Sequence, residues 1–214
     1  MAELSFILGV DLDGVVADFY GYMRIVTAEW RGVDVNDLTT DVTYGLPEWD
    51  LLPDEYPRLH RFAVTQRRLF TEMAPMAGAP QALRRLSAER VRIRIITHRL
   101  FIPYFHQVAV QQTVQWLDKH AVPYWDLCFM KEKGDVGADL YIEDSPENIS
   151  KLQDAGGAVI VFTNSTNRSL PTGPRGRADT WIEAEQMIRE RYYKWRSDRR
   201  MPLPEAPGLP PPAT

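Results

Sequence analysis

Four groups of residues stand where chemistry could be done. Asp11-Leu12-Asp13-Gly14 ends a short apolar run, and Thr97, followed by His98, ends a second. Lys131 and Lys133 lie between two later runs, and Glu143-Asp144 closes the latter of these. Ligands of an open α/β sheet bind beyond the carboxyl ends of its strands, so such residues would converge if the runs are parallel strands. Carboxylates gathered that closely repel one another and need a cation. Oxygen donors with no His or Cys among them favour Mg²⁺ over zinc or copper. A cation, a lysine and a hydroxyl would neutralise and orient a phosphoryl group. A carboxylate can then attack phosphorus to form an acyl phosphate. Asp11 and Asp13 taken alone read about equally well as turn residues closing a strand; the four groups in this order favour chemistry.

The elements that must position them are legible as short, β-branched apolar runs at Phe6–Val10, Ile93–Ile96, Leu127–Phe129, Leu140–Ile142 and Ala158–Phe162. Near-continuous hydrophobicity of this kind suits strands covered on both faces. Helical stripes fall between them: Val110, Val114, Leu117 and Ala121 on one, Ile149 and Leu152 on another. Ser145 reads as an N-cap with Pro146 in the first turn. A last helix starts near Thr180, with Trp181, Ile188, Tyr192 and Trp195 on one face. The pattern predicts an α/β fold, a parallel sheet between helical layers. Residues 32–75 lack a buried strand and are rich in aromatic and charged residues, which predicts a helical insert. The domains are therefore a core of residues 1–31 and 76–198, a cap of residues 32–75, and a tail of residues 199–214. Six prolines between 202 and 212 make that tail an extended, flexible segment.

Composition narrows the function classes. The formal net charge of −4 speaks against a nucleic-acid coat protein. Cys128 is the single cysteine, so no internal disulfide or multi-cysteine zinc site exists, and its place in an apolar strand makes it a core residue. No apolar run approaches the roughly 18 residues of a membrane span, and Phe6–Val10 is too short for a signal-peptide core. A cytoplasmic globule is expected, and the sequons at Asn148, Asn164 and Asn167 read as chance matches. His60, His106 and His120 read as surface or packing residues, and the basic run from Arg189 to Arg200 as a solvated helix face. No glycine-rich P-loop or dinucleotide fingerprint is present.

The order of the four groups resembles the haloacid dehalogenase superfamily, with Asp11-Leu12-Asp13-Gly14-Val15, Thr97, Lys133 and Glu143-Asp144 as its four motifs. That likeness implies a Rossmann-like three-layer core and a phosphatase. In it, Asp11 is the nucleophile, Asp13 the proton donor and then the base for water, and Thr97 and Lys133 the phosphate ligands. Mg²⁺ would be held by Asp11, the Asp13 carbonyl and Asp144, with Glu143 behind them. Lys131 competes with Lys133, whose spacing to the acidic pair fits the subfamily better. Over about residues 5–195 the chain is most similar to the 5'(3')-deoxyribonucleotidases. This rests on the stretch from Asp11 to Phe19, on Leu69 to Ala79, on Asp139 to Ile149 and on Asn167-Arg168. The likeness implies a nucleoside monophosphate as the small-molecule partner, without nucleic acid or membrane, and allows a homodimer. It also implies a cap whose aromatics enclose the base: Phe19 and Phe70 foremost, then Tyr44 and Trp49. Glu143 replaces the usual aspartate, and His98 stands where a small serine is common, beside the phosphate. Two other readings remain at this stage, a phosphatase for a non-nucleotide metabolite and a weakly catalytic nucleotide-binding regulator.

Overall fold

A computed structural model describes residues 5–101, 106–171 and 176–204. Six strands form one parallel sheet: β1 (Ile7–Asp11), β2 (Arg92–Thr97), β3 (Asp126–Phe129), β4 (Leu140–Glu143), β5 (Val159–Phe162) and β6 (Arg177–Ala178). Their order is β3-β2-β1-β4-β5-β6, with every pairing parallel. The five expected strands are present within a residue or two, and β6 is additional. The chain leaves β1 toward β2 and β3, then returns to its other side at β4. The carboxyl end of β1 is therefore the switch point where such sheets open a crevice.

Side-chain alternation splits the strand residues between two cores. Leu8, Val10, Ile93, Ile95, Leu140, Ile142, Ile160 and Phe162 face the larger one. Ile96, Tyr141, Val159 and Val161 face the smaller, closed by Ile149 and Leu152 of α6 (Pro146–Asp154). A side chain at Gly9 would place its Cβ 2.8 Å from the Tyr141 ring, so only glycine lets Tyr141 lie across β1. Asp11 and Glu143 continue that second face, two residues beyond Gly9 and Tyr141.

The larger core is covered by α4 (Ala79–Ala88), α5 (His106–Lys119) and α7 (Trp181–Asp198). Thr180 caps α7 through its side chain, and Trp181, Ile188 and Tyr192 are buried as expected. The face of α5 differs from the expected stripe. Ala109, Gln112, Thr113, Trp116 and Leu117 are buried, whereas Val110 is exposed and Ala121 lies beyond the helix at φ +49°. Ser145 occupies the N-cap position of α6 without a side-chain capping bond.

Between α1 (Phe19–Arg31) and α4 the chain forms two 3₁₀ turns (Val35–Asp37 and Pro47–Trp49), then α2 (Glu55–Gln66) and α3 (Leu69–Glu72). No strand occurs there. Leu59, Val64, Leu69 and Phe70 of this segment join the larger core. The Trp116 indole donates to the Met73 carbonyl at 2.7 Å, and Gln112 joins the Val64 carbonyl to the Phe70 amide. The segment returns beside the β1 turn, where the Asp18 amide donates to Ala74 and the Met76 amide to Val16, each at 2.8 Å. The proline-rich stretch from residue 205 lies outside the described residues. Just before it, the Arg196 side chain donates to the Pro202 carbonyl at 2.6 Å.

Candidate active site

The turn after β1 is built by hydrogen bonds from the Val16 and Ala17 amides to the Leu12 carbonyl, at 3.0 and 2.8 Å. Gly14 sits in it at φ +88°, and an added Cβ would lie 2.1 Å from Asp144 Oδ2. A glycine is required here twice over, by backbone conformation and by contact. Asp18 then caps α1, its carboxylate accepting from the Gly21 amide at 2.9 Å. That cap sets Phe19 and Tyr20 at the mouth of a cavity of about 470 Å³.

Asp11, Asp13, Thr97, His98, Lys133 and Asp144 line this cavity with Phe19, Tyr20, Tyr44 and Tyr56. Asp11, Glu143 and Asp144 are buried, and a carboxylate oxygen of each lies within 4.8 Å of the others. Lys133, on the 3₁₀ turn Lys133–Val136, is also buried; its ammonium bonds Asp11 and, at 2.6 Å, Glu143. Lys131 is exposed, and its carbonyl accepts from His98 Nε2 at 2.5 Å. The other Glu143 oxygen accepts from the Asp144 and Ser145 amides at 3.2 and 3.0 Å and from Asn148 at 3.4 Å. Glu143 thereby ties Lys133 to the N-terminus of α6.

Three carboxylates against one ammonium leave an uncompensated negative charge. Burial, then Glu143, raises the Asp11 carboxyl above its usual range despite Lys133. Burial, then Asp11 and Glu143, raises Asp144 in the same way. A buried, oxygen-only donor set with surplus charge fits a hard divalent cation. Burial and Lys133 hold His98 below the usual imidazole range, so it lines the cavity as a neutral ring.

Several placements depart from expectation. Phe70 is buried at 1% exposure under the Arg99 guanidinium, which lies 4.1 Å from its ring centroid, and it does not reach the cavity. Trp49 is equally buried, its indole donating to the Thr39 carbonyl at 2.8 Å, and it faces a separate cavity beside α1. Tyr44 is at the mouth, 81% exposed and 5.9 Å from the Tyr56 ring. Sequence reading missed Tyr20, Tyr56 and Arg99. It also missed Asn164, whose amide donates to Asp144 Oδ2 at 2.5 Å, and the support given by Asn167 to the Asp144 carbonyl at 2.7 Å. Asn164 follows the end of β5, so the strand-end rule that found the acids would have found it too. The sequon asparagines Asn148, Asn164 and Asn167 all serve this site.

The family profile described as "5' nucleotidase, deoxy (Pyrimidine), cytosolic type C protein" matches residues 5–193. The chain belongs to this 5'-nucleotidase family. It is 55% identical over 190 residues to a Chlorobaculum tepidum protein named "Putative 5'(3')-deoxyribonucleotidase", covering 88% of this chain and 93% of that one. It is 25% identical over 186 residues to the mitochondrial 5'(3')-deoxyribonucleotidase of Mus musculus, covering 81% and 80% of the two chains. Its fold matches a haloacid dehalogenase-like hydrolase from Streptococcus pneumoniae with a TM-score of 0.58 at 13% identity, over 86% of this chain and 98% of the other. This 5'-nucleotidase family member is a hydrolase, a phosphatase, with the fold of haloacid dehalogenase-like hydrolases.

Proposed function

We propose that the chain hydrolyses deoxynucleoside monophosphates through an aspartyl phosphate on Asp11. The observation that carries this reading is the buried cluster of Asp11, Glu143 and Asp144 around Lys133, at the floor of a cavity walled by aromatic rings. Mg²⁺ held by Asp11, Asp144 and the Asp13 carbonyl would offset the charge of the cluster and of the substrate phosphate. Lys133 and Thr97 bind phosphate oxygens, and His98 borders them. Lys133 pairs with the Asp11 carboxylate, which attacks phosphorus in line. Asp13 gives its proton to the departing nucleoside oxygen and then takes one from the water that hydrolyses the aspartyl phosphate. Glu143 holds Lys133 against Asp11 throughout.

Phe19, Tyr20, Tyr44 and Tyr56 are positioned for stacking on a planar base, with phenol groups for its polar edge. Burial raises the Tyr20 and Tyr56 phenols, so both stay neutral donors. Residues 32–75 form the cap of this reading, over a core of residues 1–31 and 76–198. Every group named comes from one chain, so the reading holds for a monomer or a homodimer in the cytoplasm. Among the described residues no helix is long and apolar enough to cross a membrane. The test is a panel of phosphomonoesters with Mg²⁺, on which deoxynucleotides should lead by kcat/KM. Asp11→Asn should fold normally and release no nucleoside; substantial turnover by that variant would defeat the assignment.

A further inference from the structure

Arg99 lies two residues beyond Thr97, in the 3₁₀ turn Arg99–Phe101. Its side chain is 1% exposed. A guanidinium cannot shed its charge by losing a proton, so a buried one must be fully paired. Here Nε and Nη2 grip the two Asp13 carboxylate oxygens at 2.8 and 2.5 Å. Nη1 donates to Thr113 Oγ1 at 2.9 Å, and Thr113 donates its own proton to the Ala109 carbonyl. The Phe70 ring forms the floor beneath the guanidinium. Arg99 is thus fastened from α5 and α3, while Asp13 is 24% exposed toward the cavity.

We propose that Arg99 is a positioning residue for the proton transfers of Asp13. The inference rests on the reading of Asp13 as acid and base given above. A fork that meets both carboxylate oxygens fixes the plane of the group, so its free lone pairs point one way, into the cavity. In the first half-reaction the bond from Asp11 to phosphorus forms as the bond to the leaving oxygen breaks. The Asp13 proton moves to that oxygen, and the Asp13 carboxylate left behind is the partner that Arg99 holds. Arg99 keeps that group aimed into the cavity, first at the leaving oxygen and then at the attacking water. Asp13 lies in the turn directly after β1, and among the described residues Arg99 is the side chain that hydrogen-bonds its carboxylate.

The test uses leaving groups that differ in their need for a proton. Nucleoside or p-nitrophenol release is followed in single turnover with enzyme in excess, on a deoxynucleoside 5'-monophosphate and on p-nitrophenyl phosphate. Arg99→Met should slow nucleoside release about ten- to a hundredfold, a share of what general acid catalysis supplies, and p-nitrophenol release less than about threefold. In an Asp13→Asn background the same substitution should add little, because Arg99 acts through Asp13. Thr113→Val removes one anchor of Arg99 while keeping the side-chain shape. It should give the same selective loss in smaller measure, and it decides the matter if Arg99→Met does not fold. Equal losses on both substrates, or none, would overturn the role of Arg99 while leaving the phosphatase reading intact. A wild-type enzyme that hydrolyses neither ester would instead remove the reading beneath it.

Discussion

Restoring the aspartate usual in the family at position 143 should weaken this protein. Glu143 makes four polar contacts: Lys133 at 2.6 Å, and the Asp144 amide, Ser145 amide and Asn148 amide at 3.2, 3.0 and 3.4 Å. Glu143→Asp withdraws the carboxylate by one carbon–carbon bond, about 1.5 Å. If the carboxylate stays with the α6 amides, the Lys133 contact stretches to about 4 Å, beyond hydrogen-bond reach. If it follows Lys133, the amide contacts stretch beyond about 4 Å instead. Either loss is a charge-assisted bond in a buried setting, costing about 1–3 kcal/mol, with Asp11 still pairing Lys133. Thermal melts of wild type and variant should differ by about 2–12 °C for a chain of this size. Turnover of a deoxynucleotide should fall about tenfold or more, because a loosened Lys133 no longer fixes the phosphate. A variant as stable as wild type, with kcat/KM within twofold, would refute the claim that the extra methylene spans two anchors.

Phe70→Ala should cost about 3–5 kcal/mol of stability, as expected for emptying a buried aromatic site; an unchanged denaturation midpoint would contradict the burial described. The His60 imidazole, packed near Phe19, Tyr56 and Phe70, is pushed down to about 4 by burial. The unfolded chain binds the proton first, so this stability is full above about pH 6.5 and lost as pH falls toward 4. That loss is about 2 kcal/mol after allowing for partial solvent contact; His60→Gln should flatten this part of the stability profile, and an unaltered profile would exclude His60 as its source. Mg²⁺ at about a hundredfold excess over its Kd should add roughly 2.7 kcal/mol, raising Tm by several degrees in a way that Asp144→Asn abolishes; an equal shift in the variant would place the ion elsewhere.

The strands and their acids were legible because each is a local pattern: a β-branched run followed by a carboxylate. β6 spans two residues, Arg177–Ala178, too few to carry any periodicity. The buried face of α5 was misread because Gln112 and Thr113 lie on it, and both are buried only because Val64, Phe70 and Arg99 supply their hydrogen bonds. Those partners are 14 to 48 residues away, and nothing in the local sequence announces them. The same holds for Phe70: an aromatic where the insert rejoins the core fits a base platform or a packing residue equally well. The presence of Arg99 above its ring decides between them. Lys133 is preferred to Lys131 because its spacing to the acidic pair fits the resembled subfamily, and its ammonium bonds Asp11 and Glu143.

The Trp181 indole donates to the Val15 carbonyl at 2.7 Å, across a sequence separation of 166 residues. The turn that carries Asp11 and Asp13 is therefore latched by the first residue of the last helix. Asn164 and Asn167 steady Asp144 from almost as far along the chain. During synthesis Asp11 emerges well ahead of α7, yet its surroundings are completed only when α7 has left the ribosome. Contacts of such long range form late in folding. A chain terminated before α7 thus carries Asp11 and Asp13 without the contacts that hold their turn in place.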